Sequence, residues 1–423
     1  MLNLKKTLFD IGLYFNSDLG TFVHKKTGLL LTVRYDNDKQ KLVLLDQTKI
    51  PFEVAVWTTS DWREAAFSGI KNMIVRGSQA IGCAAAYCMV LAANACVPFG
   101  KNFLSELKKA AKTIETARPT ASPLRWAVSA TLQAAEKQFQ ISGKVNDAVQ
   151  AVKDAADHIL TTDLIMCSYL RQEGQKYIND GDVILTHCNA GSLSSSYGGH
   201  ALGIFEEASV KGKNILVVSK ETRPRSQGFK LTTWELLTAK VPVVIITDNM
   251  VSSVISRYNI NKIMVGADRV AKNGALANKI GTHDLALIAS SFNIPFYVAT
   301  GYSTIDLDTR TGSEIPIEER DPDEILYPYR LEAQEKIRHK TLSKNALKQW
   351  PPVKQTSRKK IPRKGKISIY NPAFDITPPH LIRKYITDIG SYKPDEIKKM
   401  NKKVIDAKVQ ERLKDWEFNR EGI

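Results

Sequence analysis

The strongest constraint on the fold is an alternation of apolar runs and helical patterns in the second half of the chain. After Asp180-Gly181-Asp182, apolar runs of strand length alternate with segments whose apolar residues recur at helical spacing. The predicted strands are Val183–Thr186, Asn214–Ser219, Val241–Thr247, Lys262–Gly266 and Pro295–Ala299, and the predicted helices are Tyr197–Ser209, Thr232–Ala239, Met250–Arg257 and Asn278–Phe292. Strands that are joined by helices through short connections pair in parallel. The pattern therefore predicts an α/β fold with a doubly wound parallel sheet.

The first half of the chain predicts a smaller, mainly helical domain. Leu29–Tyr35 and Lys41–Leu45 have strand character and flank the turn residues Asp36-Asn37-Asp38, so they predict a β-hairpin. From Thr59 to about Glu173 the pattern is mostly helical. We expect three parts: an N-terminal extension (1–28), the helical domain (29–175) and the sheet domain (176–423), the last with a basic insertion (328–368) and a C-terminal helix (394–423).

The positive charge of the chain is concentrated in one segment. The net charge is +16, but thirteen Lys and Arg against two Glu between Arg330 and Lys366 supply +11 of it. Because the excess is local, binding of nucleic acid is not predicted for the protein as a whole, although the basic insertion leaves it open. We interpret that insertion as a solvated surface loop.

The N-terminal sequence and the cysteines both indicate where in the cell the protein is located. The N-terminal residues contain no apolar region of signal-peptide type, and no run of about 18 apolar residues suggests a membrane span. The five cysteines are scattered, without a CxxC pair. We therefore expect a cytoplasmic protein without membrane attachment, with a nuclear location also possible because of the basic insertion.

Chemically competent side chains follow four of the predicted strands. The first strand ends in His187-Cys188-Asn189, the second in a segment with Glu221, Arg223 and Gln227, the third in Asp248-Asn249 and the fourth in Asp268-Arg269. Ligands of parallel sheets bind at the carboxyl ends of the strands. No GxGxxG or GxxxxGK[ST] phrase follows a strand, and no HExxH or His/Cys cluster has metal-ligand spacing, so neither a nucleotide cofactor nor a metal is predicted.

Two arginine-bearing turns precede helices in the first half of the chain. Arg76-Gly77-Ser78 comes before an alanine-rich helix, and Arg118 comes before another predicted helix. Free N–H groups at a helix start, next to a guanidinium, suit a phosphate group. Together the two turns favour an anionic ligand.

Several phrases resemble those of the methylthioribose-1-phosphate isomerases, in the order of that family. Its superfamily also contains ribose-1,5-bisphosphate isomerases and the alpha, beta and delta subunits of a translation-initiation exchange factor. The matching phrases are VRGSQAIG (75–82), ARPTA (117–121), LTHCNAG (185–191), ETRPRSQG (221–228), ITDNM (246–250), VGADR (265–269), GALANKIGT (274–282), STIDLDTRTGSEIPIEERDPDE (303–324) and NPAFDITP (371–378). The intact cysteine, ETRPxxQG and IPIEERDP are the more specific to the isomerases.

The resemblance implies a Rossmann-like domain, a homodimer, and no metal or redox cofactor. It implies conversion of 5-methylthioribose 1-phosphate to 5-methylthioribulose 1-phosphate in methionine salvage. The implied catalytic thiol is Cys188 and the implied catalytic acid is Asp268. The implied substrate contacts are Arg76, Gly77, Ser78, Arg118, Gln227, Asn278 and Lys279.

The chemistry of an aldose 1-phosphate accounts for these residue types. The phosphate blocks the aldehyde, so the furanose ring must open by acid catalysis, and Asp268 kept protonated in an apolar pocket could donate to the ring oxygen. Hydrogen then moves between C2 and C1. If it moves as a proton, Cys188 is a plausible relay base; if it moves as a hydride, Cys188 shapes or polarises the site. The sequence leaves both routes open.

This chain departs from the family pattern at a few positions. Ser78-Gln79 stands where the family usually has Ala-Pro, Lys220 and Ala275 where it usually has Asp, and His283-Asp284 where it usually has Tyr-Gln. These changes leave room for a related substrate, 5-deoxyribose 1-phosphate or ribose 1,5-bisphosphate. A non-catalytic regulatory subunit is the alternative from another functional class.

Overall fold

The computed structural model describes residues 2–118, 122–339, 341, 353–355 and 367–418. Its first part contains the strands β1 (Leu13–Asn16), β2 (Thr21–His24), β3 (Val33–Asp36), β4 (Lys41–Leu45) and β5 (Val56–Thr59) and the helices α1 (Leu4–Asp10), α2 (Trp62–Glu64), α3 (Ser78–Cys96), α4 (Phe103–Glu115), α5 (Ser122–Ser142) and α6 (Val145–Gly174). The later strands are β6 (Val183–Thr186), β7 (Leu216–Lys220), β8 (Val243–Ile246), β9 (Lys262–Val265), β10 (Arg269–Ala271), β11 (Leu276–Lys279), β12 (Phe296–Ala299), β13 (Ile305–Asp306), β14 (Val353–Gln355), β15 (Ile367–Ile369), β16 (Phe374–Thr377), β17 (Lys384–Thr387) and β18 (Gly390–Tyr392). The later helices are α7 (Ala201–Val210), α8 (Thr233–Thr238), α9 (Val251–Tyr258), α10 (Thr282–Ser291), α11 (Asp323–Arg338), α12 (Pro394–Lys399) and α13 (Lys402–Phe418).

The central sheet has seven strands in the order β18-β17-β12-β9-β6-β7-β8. All neighbours are parallel except β17 and β18. The chain runs outward from β6 to β8 and then returns to start the other half of the sheet at β9, beside β6. The predicted α/β, doubly wound class is confirmed. Two strands, β17 and β18, were not predicted, because β17 pairs with β12 only after an interval of the chain that has no strand pattern of its own.

Both faces of this sheet are covered, which explains why its strands are continuous apolar runs. Ile184 packs into a core with residues of α3, α5 and α6, whereas Leu185 packs on the opposite face with residues of α9 and α10. Successive side chains of a strand point to opposite faces, so a strand that is buried on both sides is apolar throughout. The first core runs without interruption from the helical part onto the sheet. The domain division at residue 175 stays a prediction.

The first part of the chain matches the prediction of a helical region with a hairpin. β3 and β4 form the predicted antiparallel pair, and β5 adds a third strand. The N-terminal extension is not featureless, since it contains α1 and the hairpin β1-β2. The apolar segment Ser78–Glu115 is long and apolar enough to cross a membrane, but 83% of its most apolar window is buried inside the protein. It is therefore a core helix segment.

One predicted helix began too early. The prediction placed Asn278 and Lys279 at the start of a helix, but both lie on β11, and α10 begins only at Thr282. β11 pairs with β10 and β16 in a second, four-stranded sheet of order β13-β10-β11-β16. Pairing with β16, about a hundred residues later, decides this conformation. It places Asn278 and Lys279 on a rigid strand.

The C-terminal part contains two helices rather than the one predicted over 394–423. Met400 adopts an extended conformation that separates α12 from α13. Val409, Leu413 and Trp416 of α13 are buried, so this helix docks on the body as predicted. In the predicted basic insertion, α11 extends to Arg338 and β14 pairs with β15. Residues 340, 342–352, 356–366 and 419–423 lie outside the described residues.

Candidate active site

Cys188 and Asp268 follow two neighbouring strands of the central sheet. β6 pairs with β9 through Ile184 and Lys262. Cys188 comes two residues after β6 ends, and Asp268 three residues after β9 ends. The strand order reverses between these two strands, and doubly wound sheets bind ligands at that switch point. The two predicted catalytic residues are therefore brought together by the sheet topology.

A cleft of about 790 Å³ opens at this switch point. It is lined by all nine predicted site residues: Arg76, Gly77, Ser78, Arg118, Cys188, Gln227, Asp268, Asn278 and Lys279. These residues come from α3 and the turn before it, the end of α4, the strand ends of the central sheet, and β11. These four parts of the fold thus converge on one cavity, although nothing in the cavity identifies its ligand.

Three side chains fix the position of Cys188. Its backbone has φ +68°, in the left-handed region that costs a non-glycine residue about 1–3 kcal/mol. Its N–H donates to Thr222 Oγ1 at 2.9 Å, and Thr232 Oγ1 donates to its carbonyl oxygen at 2.6 Å. Gln227 Nε2 donates to the thiol sulfur at 3.4 Å. The thiol is thus held in a strained backbone conformation that its neighbours impose.

His187, next to the thiol, is buried and hydrogen-bonded. Nε2 lies 2.9 Å from the carbonyl oxygen of Ile280, so it carries the proton, and Nδ1 lies 3.3 Å from Thr222 Oγ1. Burial, together with the charge of Lys220, holds the pKa of His187 well below its usual range. A neutral imidazole with both nitrogens engaged supports the turn behind Cys188 and does not serve as a base.

The cleft is strongly cationic. Burial, with repulsion from Arg225 and Arg320, lowers the pKa of Arg76 to about 10. Burial also lowers the pKa of Lys279 to about 8 and that of Arg118 below its usual value. Among the described residues, neither Arg76 nor Arg118 forms an ion pair, and Nη1 of Arg118 is buried without a hydrogen-bond partner. Such a cluster of uncompensated cations suits a phosphate group.

Burial favours the neutral forms of both Asp268 and Cys188. Burial raises the pKa of Asp268, against the opposing charges of Lys279, Arg320 and Arg118. Burial also raises the pKa of Cys188, and the nearby Asp268 acts in the same direction while Lys279 opposes it. Burial therefore shifts both groups toward their neutral forms, which is the direction that an acid-catalysed ring opening needs.

The backbone of Gly77 closely approaches the turn at Ser192–Ser194, which follows β6. A Cβ added to Gly77 would lie 2.1 Å from Cα of Ser194 and 2.4 Å from its carbonyl oxygen. Gly77 precedes α3, so its position sets where the free N–H groups of the first turn point. Only glycine permits this approach.

We expect Gly77→Ala to weaken sugar-phosphate binding. The backbone must retreat from Ser194, so KM should rise by about 10-fold or more, with about 1–3 kcal/mol lost from the free energy of unfolding. Steady-state kinetics and thermal unfolding measure the two effects. Gly212→Ala is the control for KM, since its added Cβ meets nothing within 4 Å; because Gly212 has φ +83°, the same variant shows how much stability backbone strain alone costs. A normal KM in the Gly77 variant would contradict this role for the turn.

Several residues of the cleft were not predicted. They include Met73, His200, Arg320 and Phe374. Arg320 lies in the IPIEERDP phrase, which gave no role to individual residues, and it pairs with Glu318 and Glu324. His200 lies in a glycine-rich phrase that matched no motif. For these residues no local signal was available, because their position depends on segments far apart in the chain.

The positions that depart from the family pattern are spread through the structure. Ser78 and Gln79 line the cleft, but Lys220 and Ala275 do not. Lys220 is buried behind His187, where Nζ donates to the carbonyl oxygen of Gly281 at 3.3 Å and lies 3.8 Å from Asp248. Only the Ser78-Gln79 change therefore alters the surface that a ligand touches. In the described part of the chain, no group of three or more His, Cys, Asp or Glu side chains could hold a metal ion.

Comparisons with known proteins agree with this geometry. The model of the "Initiation factor 2 subunit family" matches residues 74–394. A methylthioribose-1-phosphate isomerase of a Thermoanaerobacter species is 39% identical over 354 residues, which covers 84% of this chain and 93% of the relative. One from Fervidobacterium nodosum is 37% identical over 376 residues, covering 88% and 97%. The chain belongs to the initiation factor 2 subunit family, on its methylthioribose-1-phosphate isomerase branch. The resemblance noted from the sequence is confirmed.

Two solved structures of the family share the fold over most of its length. The 5-methylthioribose 1-phosphate isomerase of Pyrococcus horikoshii is 30% identical, with a TM-score of 0.70, and covers 90% of this chain and 95% of its own. The delta subunit of translation initiation factor eIF-2B from A. fulgidus is 33% identical, with a TM-score of 0.69, covering 87% and 99%. In overall fold and sequence, the chain is thus about equally similar to an isomerase and to an initiation-factor subunit. The residues of the cleft have to distinguish between these two functions.

Proposed function

We propose that this chain is a methylthioribose-1-phosphate isomerase, which converts 5-methylthioribose 1-phosphate to 5-methylthioribulose 1-phosphate in methionine salvage. The observation that carries the proposal is the cleft at the switch point. It is lined by a thiol, by a carboxyl with a raised pKa and by two arginines that form no ion pair with a described residue. Each of the three corresponds to one need of the reaction: hydrogen transfer, ring opening and phosphate binding.

Asp268 is the proposed acid for ring opening. Its pKa is raised by burial, so its protonated form is available to donate to the ring oxygen as the C1–O4 bond breaks. The carboxylate that remains is then next to Lys279, Arg118 and Arg320, whose charges stabilise it. The same cations keep the pKa from rising so far that the proton cannot leave.

Cys188 is the proposed group at the carbons between which hydrogen moves. Its strained backbone and its hydrogen bond from Gln227 hold the sulfur at one position in the cleft. A proton route needs the thiolate at the moment of transfer, which Lys279 favours; a hydride route needs only the shape and polarisability of the thiol. The residue is required by either route.

The proposed phosphate-binding site consists of Arg76, Arg118 and the first turn of α3. Lys279 and Gln227 lie beside it. Lys279 is held by a hydrogen bond from Nζ to the carbonyl oxygen of Ala373 at 2.9 Å and lies 4.4 Å from the ring centroid of Phe374. Asn278 Nδ2 donates to Thr282 Oγ1 at 3.1 Å. These contacts orient both side chains before a ligand arrives, so phosphate binding can position the reacting carbons.

A non-catalytic regulatory role is the alternative. The A. fulgidus structure bears the name of an initiation factor and is as similar as the isomerase structure. A ligand-sensing subunit, however, needs only the phosphate-binding site. The paired Cys188 and Asp268 therefore favour the enzyme.

The decisive experiment measures ketose formation by the purified protein. We expect turnover of 5-methylthioribose 1-phosphate, with slower turnover of 5-deoxyribose 1-phosphate and ribose 1,5-bisphosphate. A faster rate with one of the latter two would change the substrate and keep the reaction class. If none of the three yields a ketose while the anions still bind, the regulatory role is correct.

The low pKa of Lys279 predicts a pH dependence of anion binding. A bound anion stabilises the charged ammonium and so raises this pKa above its value of about 8 in the free protein. Binding should therefore take up a proton near pH 8, and affinity should fall as pH rises beyond it. Calorimetry with sulfate, which does not titrate here, in two buffers of different ionisation enthalpy measures the uptake. Lys279→Gln should abolish it; equal uptake in that variant would contradict the assignment.

We further propose that the enzyme is a homodimer, as the resemblance implies, that it is located in the cytoplasm, and that 29–175 and 176–423 are its two domains. Sedimentation of the purified protein tests the oligomeric state, and limited proteolysis tests the domain division. A nuclear location is the alternative for a chain with this basic segment, and fractionation distinguishes the two.

A further inference from the structure

His200 is a buried residue in the cleft wall to which the proposed reaction gives no role. Its side chain is 4% exposed and lines the cleft. Its backbone N–H donates to the carbonyl oxygen of Ala190 at 3.0 Å, two residues after Cys188. No hydrogen bond joins either ring nitrogen to a residue that the structure describes. Because His200 lines the cleft, its ring nitrogens are available to a ligand that enters it.

The imidazole of His200 is in its neutral form. Burial lowers its pKa to about 4, and no neighbouring charge contributes to the shift. A neutral imidazole has one N–H donor and one lone-pair acceptor. A hydroxyl group also donates and accepts one hydrogen bond each, so it is the complementary partner. A phosphate group would instead be bound best near cations, and no charged side chain contributes to the pKa shift of His200.

The surroundings of His200 are polar and already ordered. A Cβ built on Gly301 would lie 3.6 Å from His200 Nε2, 3.6 Å from Gln79 Nε2 and 3.5 Å from Asp388 Oδ2, so these three polar atoms surround one point. Gln79 Nε2 donates to Thr304 Oγ1 at 3.2 Å, and the Tyr302 N–H donates to Asp388 Oδ1 at 3.0 Å. Of the three groups, His200 is the one that is not engaged.

His200 lies away from the end of the cleft that holds Arg118. A second cavity of about 540 Å³ adjoins the cleft and shares with it Arg76, Ser78, Arg118, Asp268 and Phe374. His200, Cys188 and Gln227 line the first cavity only. A ligand whose phosphate is held at Arg118 and whose reacting carbons lie between Asp268 and Cys188 therefore extends toward His200.

We propose that His200 is a substrate-binding residue that sets specificity by a hydrogen bond to a hydroxyl group on the sugar carbons beyond C2. The proposal rests on the proposed function, because it uses the same site and the same orientation of the sugar. It assigns to the site a preference for sugar phosphates that keep a ribose-type hydroxyl there over deoxygenated analogues. His200 touches none of the reacting atoms.

The test distinguishes loss of the hydrogen bond to the hydroxyl group from loss of phosphate binding. In His200→Phe, KM for 5-methylthioribose 1-phosphate should rise about 10-fold or more while kcat changes little, because the lost contact is made equally in the ground and transition states. Inhibition by inorganic phosphate should be unchanged, whereas inhibition by ribitol 5-phosphate, which has hydroxyls but cannot isomerise, should weaken by a similar factor. His200→Gln keeps a donor and an acceptor and should recover most of the affinity. His158→Phe, an exposed histidine of α6, is the control.

Two results would overturn the proposal: an unchanged KM in His200→Phe, or equal weakening of phosphate and ribitol 5-phosphate, which would indicate a disturbed fold. If His200→Phe does not fold, His200→Ala compared with His200→Gln decides the same question through the ratio of the two inhibition constants. Calorimetric binding of the two inhibitors needs no turnover. A protein that binds ribitol 5-phosphate through His200 but converts no substrate would leave this contact standing and reject the proposed function.

Discussion

Cys188→Ser should lower kcat by about 10²–10⁴ while the protein remains folded. The serine hydroxyl is nearly the size of the thiol and can accept the hydrogen bond from Gln227, so the turn keeps its shape. It is far less acidic and less polarisable than the thiol, so it replaces Cys188 in neither the proton nor the hydride route. Steady-state kinetics and thermal unfolding of the same preparation measure both halves of the prediction.

Cys96→Ala is the matched control, because Cys96 is a buried cysteine at the end of α3 that does not line the cleft. It should keep a normal kcat. Near-normal turnover by Cys188→Ser would refute the role of the thiol. Running the wild-type reaction in D₂O adds a second result: deuterium incorporated at C1 of the ketose during turnover indicates the proton route, whereas the hydride route requires that none is incorporated.

Asp268→Asn should lower kcat by a comparable 10²–10⁴ and should not reduce stability. The amide fills the same space but has no proton acidic enough to give to the ring oxygen. Because burial raises the pKa of Asp268 in the folded protein, the folded state binds its proton more tightly than the unfolded state does. The contribution of protonated Asp268 to the free energy of unfolding is therefore present at low pH and is lost as pH rises through the pKa of Asp268 in the folded protein. The amide of the Asn variant stays neutral and does not undergo this loss.

The pH profile gives an independent check on Asp268. The wild-type rate should decline as pH rises through the pKa of this carboxyl, since only its protonated form is an acid. In the Asn variant the residual rate should lack that decline. Asp306→Asn is the control, because Asp306 pairs with Arg269 outside the cleft lining. A variant with wild-type rate, or one that is clearly less stable at neutral pH, would contradict the assignment.

The local errors of the sequence prediction share one cause. Asn278 and Lys279 were assigned to a helix because the residues after them have helical spacing, but pairing of β11 with β10 and β16 makes them part of a strand. β17 and β18 were missed for the same reason, since β17 becomes a strand by pairing with β12. Strand formation depends on a partner that can be far away in sequence, whereas helix hydrogen bonds are local.

The sequence by itself determined the class of fold and the candidate catalytic groups. Apolar runs buried on both faces of the sheet specify its strands, and the family motifs identify Cys188 and Asp268 beside two arginine turns. Tertiary structure alone decided that these groups share one cleft, that the backbone at Cys188 is strained and that Gly77 touches Ser194. It also placed His200, which matched no motif, in the cleft wall with no side-chain hydrogen bond to a described residue. Burial shifts a pKa, or leaves a side chain without a hydrogen bond, only where segments that are far apart in the sequence pack together and exclude water. No single stretch of sequence contains that information.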